Sequence, residues 1–390
     1  MAEICWTQFR RTLHQYPELS NQEHQTAERI LAQFGAFSPD EVVTGLGGRG
    51  VAFVFQSKEP GPTTLIRCEL DALPIEETNQ FAHRSVHQGV SHKCGHDGHM
   101  AIVSALGQQL SQQRPQKGRV VLAFQPAEET GEGAINMVND AKFSAFMPDF
   151  AFALHNYPGL ALGHVAVKAG SFNCASRGMI IRLKGKTSHA AHPENGVSPA
   201  LAMCQIIEQL NALPASLTER CWVTVIHAKL GEIAFGTAPG DAVVMATLRS
   251  ETNQAMETLV DAATQLAQQS AQASGLTWSL EWQDVFQASV NSSLGCDLVV
   301  QACQNTQTPC TLLDEPMRWS EDFGQFTAVR WSEDFGQFTA VAKEGAMFVL
   351  GSGRQSPQLH NPDYDFPDEL TPIGQRIFAS LIEQINGFQS

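Results

Sequence analysis

At 390 residues the chain is long for one core, which suggests two domains or one domain with a large insertion. Its 43% apolar and 17% charged residues are globular proportions, and 40 acidic against 25 basic residues give a formal charge of −15 that argues against nucleic-acid or anionic-membrane partners. No apolar run approaches the roughly 18 residues of a membrane span, no signal-like stretch opens the chain, and nine scattered cysteines read as reduced thiols of a cytoplasmic protein.

In chain order, Ile4, Phe9 and Leu13, then Ala27, Ile30, Leu31 and Phe34, predict helices within residues 1–35, broken at Pro17. Ser20 and Glu23 have capping-box spacing ahead of the second helix. His14, in the break, is expected to be a structural hydrogen-bonding residue. GLGGRG at 45–50 has the letters of a phosphate loop, but a strand pattern follows at Val51–Gln56, so a hairpin turn is expected. The next strand, Thr63–Leu70, exits at Asp71, which reads either as a helix cap or as a functional residue.

HKCGHDGH at 92–99 is the densest group of potential ligands. Cys94 and His96, two apart, share one side of an extended backbone, and thiolate with imidazole suits a zinc-like ion. Asp97 is expected to cap a helix starting near Gly98, with His99 in its first turn and Ile102, Val103, Leu106 and Leu110 on its apolar face.

GRVVLAFQPAEETGEGA at 118–134 reads as a buried strand, Val120–Gln125, then two adjacent carboxylates, Glu128 and Glu129. Such neighbours repel and lose hydration; a divalent cation would resolve this, one Glu binding it while the other moves protons. The alternative is a solvated acidic turn. Strand Phe150–Leu154 ends at His155, and strand Ala346–Leu350 precedes a loop with His360. A strand followed by a polar residue thus recurs. Since ligands gather outside the carboxyl ends of strands in α/β sheets, Asp71, Cys94, His96, Glu128, Glu129, His155 and His360 are expected to be neighbours.

From about residue 171 to 284 the predicted order is β-α-β-β-α-β, a ferredoxin-like unit able to close on itself and inserted into the first domain. Its KTSHAAHP turn holds His189, either a loop histidine or a donor reaching the active site from a lid. Residues 318–329, RWSEDFGQFTAV, recur unchanged at 330–341, as in a recent tandem duplication or a change introduced when the gene was handled. In one continuous helix the two copies would be rotated by about 120°. One copy is therefore expected to take the native place and the other to bulge or extend the flanking structure.

Together HKCGHDGH, FQPAEETGEGA, GKTSHAAHP, SEDF and LHNPDYDF, spread over nearly the whole chain, resemble the dinuclear-metal aminoacylase/carboxypeptidase family. The likeness is to its amidohydrolase branch, with hippurate hydrolases, auxin-conjugate hydrolases and N-acetyldiaminopimelate deacetylases. The resemblance implies an α/β fold. Residues 1–170 and 285–390 would form a zinc-exopeptidase-like catalytic domain, a mixed sheet flanked by helices; 171–284 would form an inserted ferredoxin-like lid and dimerisation domain. It implies that Cys94, His96, Glu129, His155 and His360 ligate two divalent ions per subunit, Cys94 bridging, with zinc or manganese favoured and nickel or cobalt compatible. Glu128 would be the general base and acid, Asp71 would orient a ligand, and His189 would stabilise the oxyanion, in dimers from the neighbouring lid.

The implied activity is metal-dependent hydrolysis, by an activated water, of the amide bond of an N-acyl amino acid or small conjugate. The alternatives are a dipeptidase or carboxypeptidase of the same family, or a non-catalytic metal-binding relative disabled by the 318–341 duplication. The implied partner is a small molecule or short peptide, without nucleic acid or membrane, and the implied assembly a cytoplasmic homodimer joined by the lid. Two departures stand out: the family's Ala-Asp-Met-Asp reads Cys68-Glu69-Leu70-Asp71, and GTAPGDAVVMATLR lacks the family's Asn while keeping Arg249.

Overall fold

The computed structural model describes residues 4–327, 329–331 and 338–389. The chain divides into two units, one of Met1–Phe172, Ser289–Pro316 and Glu321–Ser390, the other of Asn173–Ala288 and Met317–Ser320. No helix among the described residues is long and apolar enough to cross a membrane, and all nine cysteines are free.

In the first unit, α1 (Trp6–Gln15) and α2 (His24–Phe34) flank the break at Pro17. The expected capping box is not made. The Ser20 hydroxyl donates to buried Asp71 at 2.7 Å, and the Gln25 and Thr26 amides of α2 are taken by the Glu18 carboxylate at 3.2 and 2.7 Å. A buried carboxylate needs donors more than a surface helix end needs an acceptor, because water can serve the latter.

β1 (Glu41–Leu46) and β2 (Gly50–Gln56) form an antiparallel hairpin whose turn uses positive φ at Gly45, Gly47 and Gly48, so GLGGRG is a turn and not a phosphate loop. β3 (Thr63–Glu69), β4 (Arg119–Gln125), β5 (Phe150–Pro158), β6 (Val165–Val167) and the strands Cys310–Leu312 and Glu344–Gly353 complete an eight-stranded sheet. Its order is β1-β2-β4-β3-β5, then Glu344–Gly353, β6 and Cys310–Leu312. The centre, from β4 to Glu344–Gly353, is parallel, and the outer pairs are mixed. Central strands without polar alternation, such as the wholly buried β3, need cover on both faces. α3 (His96–Gln112), α4 (Gly133–Asn139) and the helices Ser293–Asn305 and Leu370–Ile385 lie among these strands. The core pools Ile30, Phe34, Phe53, Leu106, Phe124, Phe348 and Phe378, with the Phe34 ring stacked on Phe53 at 3.8 Å.

The second unit has strands Ala175–Lys184, Cys221–Leu230, Asp241–Ser250 and Thr277–Phe286 and helices Ala200–Ala212 and Asn253–Ala273. All pairs are antiparallel, with Cys221–Leu230 at one edge, then Asp241–Ser250, Ala175–Lys184 and Thr277–Phe286. That is the ferredoxin-like order. Strand Asp241–Ser250 buries Ala242, Val244, Ala246 and Leu248 in a strict period of two, against Ala202, Ile206, Leu259 and Ala263 of the helices.

The chain leaves the second unit inside the first dodecapeptide copy, between Ser320 and Glu321. Glu321, Asp322, Phe323 and Phe326 of that copy are buried in the first unit. Of the second copy, residues 332–337 lie outside the described residues, and so does the expected bulge; the flanking stretches Val329–Trp331 and Phe338–Ala340 pair antiparallel.

Candidate metal centre

Parallel strands bring their carboxyl ends to one edge of the sheet, and here those ends carry the chemistry. β3 leads to Asp71, β4 to Glu128 and Glu129, and β5 holds His155. β5 runs on to Pro158, past the expected end at Leu154, because His155 and Asn156 stay paired with Val349 and Leu350. Cys94 and His96 arrive differently from the expectation of an extended backbone. Gly95 takes φ 94°, and a Cβ there would sit 2.4 Å from the Asn156 side-chain oxygen; this left-handed residue turns the chain straight into α3, which starts at His96. Nor does Asp97 cap that helix. It lies in the first turn, buried, and accepts from His14 Nδ1 at 2.9 Å and Arg10 Nη1 at 3.2 Å.

The ligand atoms of Cys94, His96 and His155 lie within 4.8 Å of one another, as do those of Cys94, Glu129 and His360, and those of His96, Glu128 and Glu129. Cys94 Sγ stands 3.4 Å from His155 Nε2, His96 Nε2 is 3.8 Å from both Glu128 Oε2 and Glu129 Oε1, and His360 Nε2 is 3.9 Å from Glu129 Oε2. His360 is half exposed, at φ 65°, and its amide donates to the Lys93 carbonyl. His96 Nδ1 contacts the Asp71 carbonyl at 2.9 Å and His155 Nδ1 the Asn156 carbonyl at 2.8 Å. A carbonyl can only accept, so each Nδ1 holds a proton and each Nε2 faces the cluster, the orientation of a metal-binding imidazole. His96 Nε2 and Glu129 Oε1 are buried without a hydrogen-bond partner. Such groups are costly unless a cation joins them. One thiol, imidazoles and carboxylates are a donor set that fits borderline-soft divalent ions.

The electrostatics agree. Burial pushes the Glu128 carboxyl well above the carboxylate range, with Glu321, Glu129 and Asp322 adding to the rise. Burial pushes Glu129 up to about 7 against the pull of His96, and burial, with Glu129 and Glu128 nearby, raises the Cys94 thiol. His96 is raised to about 10: burial lowers it, but its bond to Asp71 and the nearby carboxylates prevail. The pocket is short of positive charge, and a bound cation inverts this logic. Asp71 ties the pocket together, its Oδ2 accepting from the Ser20 hydroxyl at 2.7 Å and the Glu129 amide at 3.0 Å.

His189 belongs to the second unit. It is exposed there on a two-residue strand paired with Thr237–Ala238, and its Nδ1 accepts from the Ala191 amide.

Sequence reasoning missed a buried layer behind the cluster. His99 Nδ1 contacts Glu69 at 2.6 Å, and its Nε2 accepts from the Asn156 amide at 3.2 Å. Arg67, fully buried, reaches Glu69 and bonds Gln125 at 2.8 Å and Glu321 and Asp322 at 2.6 Å each. A signal existed: Arg67 and Glu69, the two charged residues of β3, stand two apart, share a face and can be buried only as partners. A further network links Arg10, His14, Glu77, Lys93 and Asp97. His14 has the structural role expected of it.

Residues 65–384 match the sequence pattern of peptidase family M20/M25/M40. The N-acetylcysteine deacetylase of Bacillus subtilis (strain 168) is 26% identical over 376 residues, 95% of this chain and 94% of its own length. The N-acetyldiaminopimelate deacetylase of Lactobacillus helveticus (strain DPC 4571) is 28% identical over 388 residues, 96% of this chain and 95% of its own. Among solved structures, the Bacillus subtilis YXEP protein, described as a dinuclear metal binding peptidase of the M20 family, shares the fold at a TM-score of 0.80 and 24% identity, over 98% of this chain and 97% of that one. The matched span holds every group of the cluster, and the chain belongs to peptidase family M20/M25/M40, as a hydrolase acting on amide bonds.

Proposed function

We propose that the chain removes the acyl group, an acetyl group foremost, from N-acyl amino acids, and that its cluster holds two divalent ions. The observation that carries this reading is the pair of buried, partnerless atoms, His96 Nε2 and Glu129 Oε1, facing each other at 3.8 Å beside Glu128. The relatives named as N-acetylcysteine and N-acetyldiaminopimelate deacetylases support the substrate class. Cys94, His96, Glu129, His155 and His360 would hold the ions, zinc or manganese by donor type.

The chemistry such ions supply is acidification of a water and polarisation of a carbonyl. Glu128 takes the proton from the attacking water and returns it to the leaving amine, a task suited to a carboxyl whose pKa burial has raised. Asp71 orients His96, whose Nδ1 lies 2.9 Å from the Asp71 carbonyl and 3.4 Å from its carboxylate. Cys94 serves as a ligand and not as the attacking group. His189 of the second unit is the oxyanion donor, delivered by a lid that spans residues 171–284 and also joins two copies. Ile226 on the edge strand Cys221–Leu230, with Ile233 and Phe235 just beyond it, is exposed as an interface would require. Nine free thiols suit a cytoplasmic location.

The test uses metal-stripped protein, zinc or manganese added back, and a panel of N-acetyl amino acids and dipeptides. Metal-dependent release of the amino acid is expected, and Glu128→Gln should lower turnover by about 100-fold or more while bound metal stays. Full turnover in Glu128→Gln would remove it from the base role. Two bound ions with no turnover on any substrate would leave a binding protein.

A further inference from the structure

The turn carrying Glu128 and Glu129 is nearly a closed loop. A Cβ at Gly133 would sit 1.6 Å from the Pro126 carbonyl oxygen, and Ala127 adopts φ 50°, a left-handed value that a side chain disfavours. Within the turn, the Gly131 amide donates to the Glu128 carbonyl at 2.8 Å and the Gly133 amide to the Ala127 carbonyl at 3.0 Å. Three carboxylates from three other segments take further amides. Glu23 accepts from Ala127 at 2.8 Å, Asp71 from Glu129 at 3.0 Å, and Asp322 from Ala134 at 2.8 Å.

Asp322 differs from the other two in holding both ends of the turn. Its oxygens also accept from the Gln125 side-chain amide at 2.9 and 2.7 Å and from Arg67 Nη2 at 2.6 Å. Gln125 closes β4 and Ala134 lies in the first turn of α4, so one carboxylate bridges the residues on either side of the catalytic segment. Asp322 is 1% exposed, and every contact named here is a donor pointing at it, so these bonds form away from water, the one from Arg67 assisted by the guanidinium charge. We infer that Asp322 is a positioning residue: by clasping Gln125, Ala134 and Arg67 it sets where Glu128 and Glu129 stand, and it is the first of the two identical dodecapeptides that supplies it. This rests on the reading of Glu128 as base and Glu129 as metal ligand.

Because Asp334 repeats Asp322 in an identical context, the chain carries its own control. Asp322→Asn and Asp334→Asn are compared in the full-length protein by hydrogen exchange, bound zinc, kcat and KM. Asp322→Asn should speed exchange of the amides between residues 126 and 136 by about tenfold, the loss of a charged hydrogen bond, and leave the 119–124 segment protected. Turnover should fall by about 100-fold through kcat, with KM little changed, since a small displacement of a base has that effect. Asp334→Asn should match the unsubstituted protein in all four readouts. Exchange unchanged in Asp322→Asn, or changed without loss of kcat, would overturn the inference. So would two silent single variants and a damaged double variant, which would mean that the copies exchange places. Should Asp322→Asn not fold, Gln125→Met removes the β4 side of the clasp together with the Arg67–Gln125 bond, keeps Asp322 on Ala134, and is read the same way. Failure of the hydrolase reading looks different: the unsubstituted protein turns over nothing, yet Asp322→Asn still loosens the turn and lowers bound zinc.

Discussion

Lys93 sits directly before Cys94, and no water reaches it. Its ammonium bonds Glu77 at 2.6 Å and the Tyr364 carbonyl at 2.8 Å, and Glu77 also meets His14 at 3.0 Å. Burial raises the Glu77 carboxyl, but His14 and Lys93 outweigh it and hold it at about 2. Burial likewise lowers His14, but Asp97 and Glu77 bring it up to about 9. The two shifts set opposite limbs. A carboxyl depressed from 4.5 contributes stability that is complete above that value and fades as pH falls towards 2. An imidazole raised from 6.5 contributes stability that is complete below that value and fades as pH rises through about 9. Urea unfolding should therefore show a broad maximum between these limbs. Glu77→Gln should lose about 3 kcal/mol near neutrality, because it strands the Lys93 charge, and should flatten the acid limb. An acid limb as steep as before would take Glu77 out of the account. At this scale the sequence was legible where residue types are rare. HKCGHDGH and the Glu pair declared themselves, whereas Arg67, Glu69, Glu77 and Lys93 did not, since their roles depend on partners up to 271 residues away.

Among the elements, Gly95 shows how local conformation places two residues of the cluster. Its φ of 94° and its contact with the Asn156 side chain allow Cys94 and His96 to face one cluster from either side of the α3 start. Gly95→Ala is strained on both counts and should destabilise the protein by about 1–3 kcal/mol. It should also lower the zinc bound per chain; unchanged stability with full zinc would show that the turn does not need its glycine. Helices and strands followed from apolar periodicity, so α1, α2, the hairpin and the ferredoxin-like order were all readable. Their ends were less so. Ser20 left its helix for Asp71, Asp97 turned inward to His14 and Arg10, and β5 kept pairing beyond Leu154. In each case a buried charge or an unpaired backbone group overrode a local preference worth about 1 kcal/mol.

On the scale of the whole molecule, the proposal that His189 acts from a second copy makes a sharp prediction. His189→Ala and Glu128→Gln should each turn over substrate poorly alone, yet mixed under conditions that exchange subunits they should recover part of the activity. Heterodimers that form and stay inactive would confine His189 to its own chain or to another role. The sequence by itself determined the family, the motifs that meet in the cluster, the insertion of a second folding unit and the existence of a duplicated dodecapeptide, because these are written in residue types, spacings and periodicities. Only the tertiary structure decided that the first copy brings Glu321 and Asp322 beneath the turn of Glu128 and Glu129, that Arg67 is neutralised there, and that His96 and His155 both present Nε2. Those outcomes depend on which buried donor finds which acceptor across the fold, and a chain read in one dimension carries the donors and acceptors without their pairing.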